Sequence, residues 1–245
     1  MYKKISTLIL SFLFPIQCIV CENPGRYLCW ECLSHIPVNP INLCPICQKA
    51  ETFAGRVCNV CENENKKIYL DGVIVASYYK HPVLREAIYR FKYNFLKQLS
   101  KPLAKILFKK IISVPGFPTD QFVIIPVPLH PKRLVWRGFN QAELLGKNLQ
   151  KIFSQYNINM NLITGLLVRQ KYIRPQMKIH STEDRKKNII GCFLINKEST
   201  IKLPEKIILL DDIITTGATL EECAKTLKRR GVRKVWGLVL ARQGR

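Results

Sequence analysis

Two adjacent carboxylates, Asp211 and Asp212, stand between an apolar run and a hydroxyl-rich stretch, Thr215-Thr216-Gly217-Ala218-Thr219. Carboxylates repel phosphate, so this pair suits ribose hydroxyls or a ligand-bound Mg²⁺. The threonines suit the phosphate itself: their hydroxyls donate, and Gly217 lets an anion approach the backbone closely. Together they read as a site for a ligand that carries a phosphate beside a sugar diol. The elements needed to hold such a site flank it. Ile207 to Leu210 has the apolar pattern of a strand buried in a parallel sheet, with the acids expected at its carboxyl end. A helical run to about Arg230 follows, so the Thr-rich loop opens a helix N-terminus, where unpaired N–H groups and the helix dipole face an anion. An Asp-rich turn before a Thr-capped helix is the plain alternative. It leaves unexplained why strand, acids, glycine and threonines fall in register.

A second chemistry is written in the cysteines. Eight of the ten fall in Cys-x-x-Cys pairs: Cys18, Cys21, Cys29 and Cys32, then Cys44, Cys47, Cys58 and Cys61. A single such pair is equally a redox motif, but four in succession supply the thiolates for two closed tetrahedral zinc sites with no open position for catalysis. Spacing allows sequential or interleaved pairing, and sequential pairing is the expectation. Ligands of this kind imply a reducing compartment, and the metals would supply folding energy to a segment with few apolar residues.

The 245 residues allow one or two domains. We expect a double zinc-ribbon module with an N-terminal amphipathic helix over 1–66 and an α/β domain over 67–245, joined at the polar stretch Asn63 to Lys67. Lys3-Lys4 followed by Ile5 to Phe14 looks like a leader peptide, yet no small-x-small cleavage pattern follows, so an amphipathic helix is the expectation. No apolar run is long enough to span a membrane. The net charge of +22 is uneven: residues 67–245 hold 33 Lys and Arg against 12 Asp and Glu. That surplus favours polyanionic partners, phosphates or nucleic acid.

Along the chain, Tyr69 to Tyr79 reads as a strand and Val83 to Tyr93 as a helix. A second helix from Lys97 to about Ile112 puts Lys97, Lys101, Lys105 and Lys109 at i, i+4 steps, a stripe about 18 Å long at ~1.5 Å per residue. Spaced lysines could track a nucleic-acid backbone; a solvated helix face accounts for them equally, and few aromatic residues lie near them in sequence. Phe122 to Val127 reads as a strand, followed by a basic loop in which Lys132, Arg133 and Arg137 are candidate contacts for a second phosphate group. A helix from about Gln141 follows, with Asn140 as its N-cap. Leu162 to Arg169 reads as a strand, Tyr172 to Asn188 as a basic loop able to close over a charged intermediate, Gly191 to Asn196 as a strand and Arg233 to Ala241 as the last. Cys192 and Cys223 read as core residues. Strands alternating with helices imply a doubly wound, mainly parallel α/β sheet with its ligand sites at the strand carboxyl ends.

The stretch from Ile207 to Thr219 resembles the phosphoribosyl-pyrophosphate (PRPP) motif of type I phosphoribosyltransferases. By that resemblance Asp211 and Asp212 hold the ribose diol and Thr215 to Thr219 wrap the 5′-phosphate. The chain as a whole resembles the ComF (competence protein F, ComFC) family from about Phe14 to Arg242. The resemblance rests on the double Cys-x-x-Cys ribbons, Tyr78-Tyr-Lys-His-Pro-Val-Leu-Arg-Glu-Ala-Ile88, Phe91-Lys92-Tyr93 and Pro126-Val-Pro-Leu129. It rests further on Arg137-Gly-Phe-Asn-Gln141, Arg185-Lys-Lys-Asn188 with Gly191 and Phe193, and the PRPP motif. It implies a zinc-ribbon module before a phosphoribosyltransferase fold, Mg²⁺ bound with PRPP, a cytoplasmic location, a role in DNA uptake during natural transformation, and a helicase-like competence protein as partner. It names no phosphoribosyl acceptor and no catalytic residue. Two departures matter. Thr215 stands where hypoxanthine-type relatives carry a carboxylate that can act as a base toward a purine, which disfavours purine salvage. Ile173 stands where a threonine is common, so that loop lacks one phosphate-contacting hydroxyl. The two functions implied are a PRPP-dependent transferase and a PRPP-gated protein that handles single-stranded DNA.

Overall fold

The run at Ile207 lies in the central strand of a five-stranded parallel sheet, ordered β1-β7-β6-β2-β3. The structure, a computed structural model, describes residues 15–64, 67–115, 117, 122–171, 188–197, 199 and 201–243. The helix expected over 1–14 and nearly all of the basic loop expected over 172–188, Ile173 included, lie outside them. The strands are β1 (Gly72–Tyr78), β2 (Val123–Pro126), β3 (Asn161–Leu162), β4 (Leu167–Arg169), β5 (Phe193–Ile195), β6 (Lys206–Ile214) and β7 (Lys234–Arg242). The helices are α1 (Trp30–Ser34), α2 (Asn59–Asn63), α3 (Pro82–Tyr93), α4 (Ser100–Ile112), α5 (Pro131–Arg137), α6 (Gln141–Gln155) and α7 (Ala218–Lys228).

Period-two alternation sends side chains of each strand to two cores. Ile208, Leu210, Ile124, Ile74 and Leu238 pack with α3, α4, α6 and the first ribbon on one face. Ile207, Leu209, Ile125, Val73 and Val239 pack with α7 and the β4–β5 hairpin on the other. Covering both faces is what makes β6 apolar at every position from Ile207 to Leu210. Cys192 and Cys223 are both buried in the second core, as expected.

Four local expectations change. Strand β6 does not stop at Leu210 but runs through both acids to Ile214. Its pairing with β2 ends at Pro126↔Leu210, while pairing with β7 continues to Ile214↔Arg242. The segment read as one strand from Leu162 to Arg169 is two, parted at Gly165, and β4 pairs antiparallel with β5 in a separate sheet. The basic loop after β2 is helix α5, started by Pro131 and capped by His130, whose Nδ1 accepts from Lys132 N at 3.1 Å. The lysine helix begins as a 3₁₀ turn over Lys97–Leu99 and becomes α-helical at Ser100; Pro102, with no N–H to give, favours a helix start just before it.

The cysteine segment lies along the open edge of β1. Arg56 bridges Gly72 in antiparallel fashion, Val57 N donates to Asp71 O at 3.1 Å, and Asn39 N donates to Ala76 O at 2.8 Å. The side chains add to this: Trp236 Nε1 donates to Ala54 O at 3.0 Å, Ser77 Oγ to Pro37 O at 2.6 Å, and the buried Lys110 Nζ to Asn39 O at 2.6 Å. At Gly55 the backbone has φ +68° and a Cβ would strike the Val73 carbonyl, so only glycine allows this approach. Strand edges left bare pair with other chains; here the ribbons occupy that edge.

Candidate functional site

Strand β2 leads outward to β3, whereas β6 leads the other way to β7. The carboxyl ends of β2 and β6 therefore flank the point where the winding reverses, the place where open α/β sheets form a crevice. Asp211 and Asp212 lie there because pairing with β2 has ended beside them. Each carboxylate is pinned by the next peptide: Asp211 Oδ1 accepts from Asp212 N at 2.8 Å, and Asp212 Oδ1 accepts from Ile213 N at 2.7 Å. The second oxygen of Asp212 meets Lys92 Nζ at 2.9 Å, and both side chains are largely buried. Lys92 is delivered by α3, whose buried face is Leu84, Ala87, Ile88 and Phe91. The sequence reading quoted Lys92 only within a motif; its signal as a site residue was a lysine at the last turn of an otherwise core-facing helix.

Burial, together with the charge of Asp212, pushes the Asp211 carboxyl up to about 8, against the opposing pull of Lys92. An unfolded Asp titrates near ~3.9. Between these values the native chain holds a proton that the unfolded chain has released, so this group's contribution favours folding less as pH rises from about 4 to 8. Asp211→Asn removes that dependence. The variant should exceed the parent in stability by a margin that widens between pH 4.5 and pH 8.5, by on the order of 1 kcal/mol or more. Urea unfolding at the two pH values measures it; a constant margin would mean Asp211 is already ionised at pH 4.5.

Behind the acids the chain turns through Thr215 and Thr216 into Gly217, whose φ of +79° places it in the left-handed region as N-cap of α7. A Cβ there would meet only Ile214 Cδ1 at 3.5 Å, so backbone conformation rather than space calls for glycine. Thr216 Oγ1 lies 3.4 Å from Ala218 N, and the first helical bond runs from Glu221 N to Gly217 O at 2.9 Å. Thr215, Thr216, Gly217, Ala218 and Thr219 are all partly exposed, leaving hydroxyls and α7 N–H groups at the crevice. A cavity of about 250 Å³ backs the loop, bounded by Thr216 and Gly217 on one side and by Pro45 and Ile46 of the second cysteine segment on the other.

Of the three basic candidates on α5, Arg137 is the buried one. Its Nη1 donates to Gln141 Oε1 at 2.6 Å, while its buried Nε has no hydrogen-bond partner among the described residues. Burial works against its charge, and Asp212 and then Tyr93 support it. Arg133 is partly buried one turn away, and Lys132 is exposed. Arg169, at the end of β4, was read only as a strand residue. Burial and the charge of Arg133 lower it, against Cys192, Cys223 and Asp211, and its guanidinium lies 5.4 Å from the Phe193 ring. Asn140 caps α6 through Ala142 N at 3.0 Å and ties it to Val127 O at 3.1 Å. The crevice thus joins two acids, a loop of partly exposed hydroxyl and glycine residues at a helix N-terminus, and a buried arginine. Lys97 lies in the 3₁₀ turn before α4, and Lys101, Lys105 and Lys109 lie along α4 itself.

The cysteines assemble sequentially, Cys18, Cys21, Cys29 and Cys32 in one cluster and Cys44, Cys47, Cys58 and Cys61 in the other, with all Sγ atoms of a cluster within 4.8 Å of one another. A tetrahedron with Zn–S of about 2.3 Å has S···S edges of about 3.8 Å. Cys21 to Cys29 at 3.6 Å and Cys47 to Cys58 at 3.9 Å match that edge. Backbone N–H groups of Cys29 and Cys58 point at Cys18 and Cys44 Sγ at 3.4 Å each, and those of Ala50 and Lys49 hold the Cys47 thiol down to about 6. Burial and the neighbouring thiols push Cys61 of the same cluster up to about 12, so it is the geometry of four converging sulfurs that fits a structural zinc, and four ligands each leave no open position.

The chain is 29% identical over 238 residues to Competence protein F of Haemophilus influenzae, covering 93% of this chain and 98% of that one. It is 27% identical to Competence protein ComFC of Bacillus subtilis, over 85% of this chain and 81% of the relative. DNA utilization protein YhgH of Escherichia coli is 25% identical over 88% of this chain and 96% of its own length. No protein-family model matches the chain. Matches of this extent to proteins named competence protein F, ComFC and YhgH bear out the ComF resemblance read from the motifs. Among the described residues, no helix is long and apolar enough to cross a membrane.

Proposed function

We propose that this chain binds PRPP with Mg²⁺ in the β2–β6 crevice and serves DNA uptake, as a phosphoribosyltransferase-like protein of the ComF kind. The observation that carries the reading is the convergence of Asp211, Asp212, the Thr215–Thr219 loop and the buried Arg137 on one crevice at the reversal of the sheet. The acids accept the ribose hydroxyls and lie beside the magnesium. The loop and the α7 N-terminus take the 5′-phosphate, and α5 offers Arg137, with Arg133 and Lys132, to the pyrophosphate. In transfer, a nucleophile bonds to ribose C1 as the C1–oxygen bond breaks and its electron pair leaves with pyrophosphate. Such a step asks the protein for positioning and charge stabilisation. Thr215 supplies no base toward a purine, which disfavours a purine as the acceptor. The names of the relatives, competence and DNA utilization, support the role in DNA uptake, and a helicase-like competence protein is the partner that role suggests. Two structural zinc ions complete the set of cofactors.

The excess of 33 basic over 12 acidic residues in 67–245 favours a second reading, a PRPP-gated protein that handles single-stranded DNA without transfer. Calorimetric titration of PRPP with Mg²⁺, alongside detection of released pyrophosphate, separates the two. Binding with release against a panel of bases and oligonucleotides means transfer, and binding without release means gating. Failure of PRPP to bind would overturn both.

A further inference from the structure

Helix α5 is inside out. Its buried residue is Arg137, whereas Leu134, Val135 and Trp136 are 42%, 85% and 58% exposed. Trp136 meets Phe95, itself 40% exposed and held at φ +57°, edge to face with centroids 5.3 Å apart. A bulky residue at positive φ is strained, and such strain collects where it serves a ligand. Two residues further on, Lys97 begins the lysine row of α4. That row ends on a second exposed aromatic surface, because Lys105 Nζ stands 4.1 Å above the ring of Trp30, which is 59% exposed and comes from the first cysteine segment. None of these lysines forms an ion pair among the described residues. Lys105 is flanked instead by Lys101, Arg26 and Lys109. The surface is therefore a continuous order of Trp30, then Lys105, Lys101 and Lys97, then Phe95 and Trp136.

We infer that this surface is a track for single-stranded nucleic acid, with bases stacked on Trp30, Phe95 and Trp136 and phosphates along Lys97, Lys101 and Lys105. Aromatic faces take unpaired bases of any sequence, while a duplex keeps its bases stacked inside. Protein interface cores are depleted of lysine, and here lysines with no ion pair among the described residues interrupt the aromatic surface. Arg137 joins the track to the crevice, since its guanidinium lies 5.9 Å from the Trp136 ring and its charge is supported by Asp212. The inference rests on the single-strand reading above and adds where the strand lies.

The test is fluorescence anisotropy of a fluorescein-labelled 20-nucleotide oligo-dT with the full chain, at fixed salt and across a salt series. The parent protein should bind with an affinity that falls with salt. Phe95→Ala with Trp136→Ala should weaken binding about 10- to 100-fold, from the ~1–3 kcal/mol carried by a stacked base, and leave the salt slope unchanged. Lys97→Gln, Lys101→Gln and Lys105→Gln together should reduce the slope by about 2, at ~0.7 per phosphate contact. Both variants should keep PRPP binding and the melting temperature of the parent, since the altered side chains are exposed or partly so. No binding by the parent would overturn the single-strand reading itself. Normal binding by the aromatic variant would overturn the track alone. Concentration-dependent self-association abolished by the aromatic variant, with oligo-dT affinity intact, would assign the surface to a second copy and also overturn the track.

Discussion

Asp211→Asn with Asp212→Asn should abolish PRPP binding while zinc content stays that of the parent. Each carboxylate has one oxygen committed to a backbone N–H at 2.7–2.8 Å, which an asparagine Oδ1 can still accept. The strand and its pairing with β7 therefore survive the substitution. What disappears, in titrations run above the value of about 8 at which Asp211 ionises in the free chain, is the negative charge of both acids offered to ribose hydroxyls and magnesium. Charge-assisted hydrogen bonds are worth roughly 1.5–3 kcal/mol each, so losing two predicts a fall in affinity of about 10²- to 10⁴-fold. The same change leaves Lys92 facing a neutral amide in place of Asp212, which adds a positive charge to the crevice. That charge would strengthen the hold on a simple anion. Calorimetry with PRPP and with inorganic pyrophosphate thus separates the roles: PRPP binding is lost, pyrophosphate binding is kept or improved. Unchanged PRPP affinity in the double variant would remove the acids from the site.

Cys44→Ser should cost about one zinc per chain and a large share of the stability of the whole protein. Cys44 is fully buried and accepts from Cys58 N, so the second cluster closes around it. Structural zinc supplies on the order of 10 kcal/mol to small domains of this type, and the second cysteine segment has few apolar residues of its own to replace it. The effect reaches the sheet because this segment, through Ala54, Gly55, Arg56 and Val57, occupies the outer edge of β1 and accepts the Trp236 indole. Loosening it uncovers a strand edge, and bare edges associate. Metal analysis should fall from two zinc to one, thermal unfolding should move to markedly lower temperature, and soluble aggregates should appear. Full metal retention would mean that sulfur at position 44 is not a ligand. Loss of metal with an unchanged melting temperature would mean that the edge is held by other contacts.

The amino-acid sequence by itself determined what depends on residues close together in the chain. The cysteine pairs, the apolar alternation of β6, the Asp-Asp-x-x-Thr-Thr-Gly order and the capping role of Asn140 are local patterns, and local geometry follows from them. The doubly wound parallel sheet followed too, because strands separated by helices have few other ways to bury both faces. The tertiary structure alone decided what depends on partners far away. Strand β6 runs past Leu210, where β2 stops pairing, because β7 from later in the chain pairs with it as far as Ile214, so the acids lie within the strand rather than after it. Lys92 joins the crevice because α3 is folded toward it. The lysine row seemed to lack aromatic neighbours because Trp30 stands some seventy residues before Lys105, and only the packing of the first cysteine segment against α4 lays that ring beneath it. Helix α5 carries the same lesson. Its arginine faces inward because the crevice holds carboxylates, and a helix of seven residues turns the side that its surroundings select.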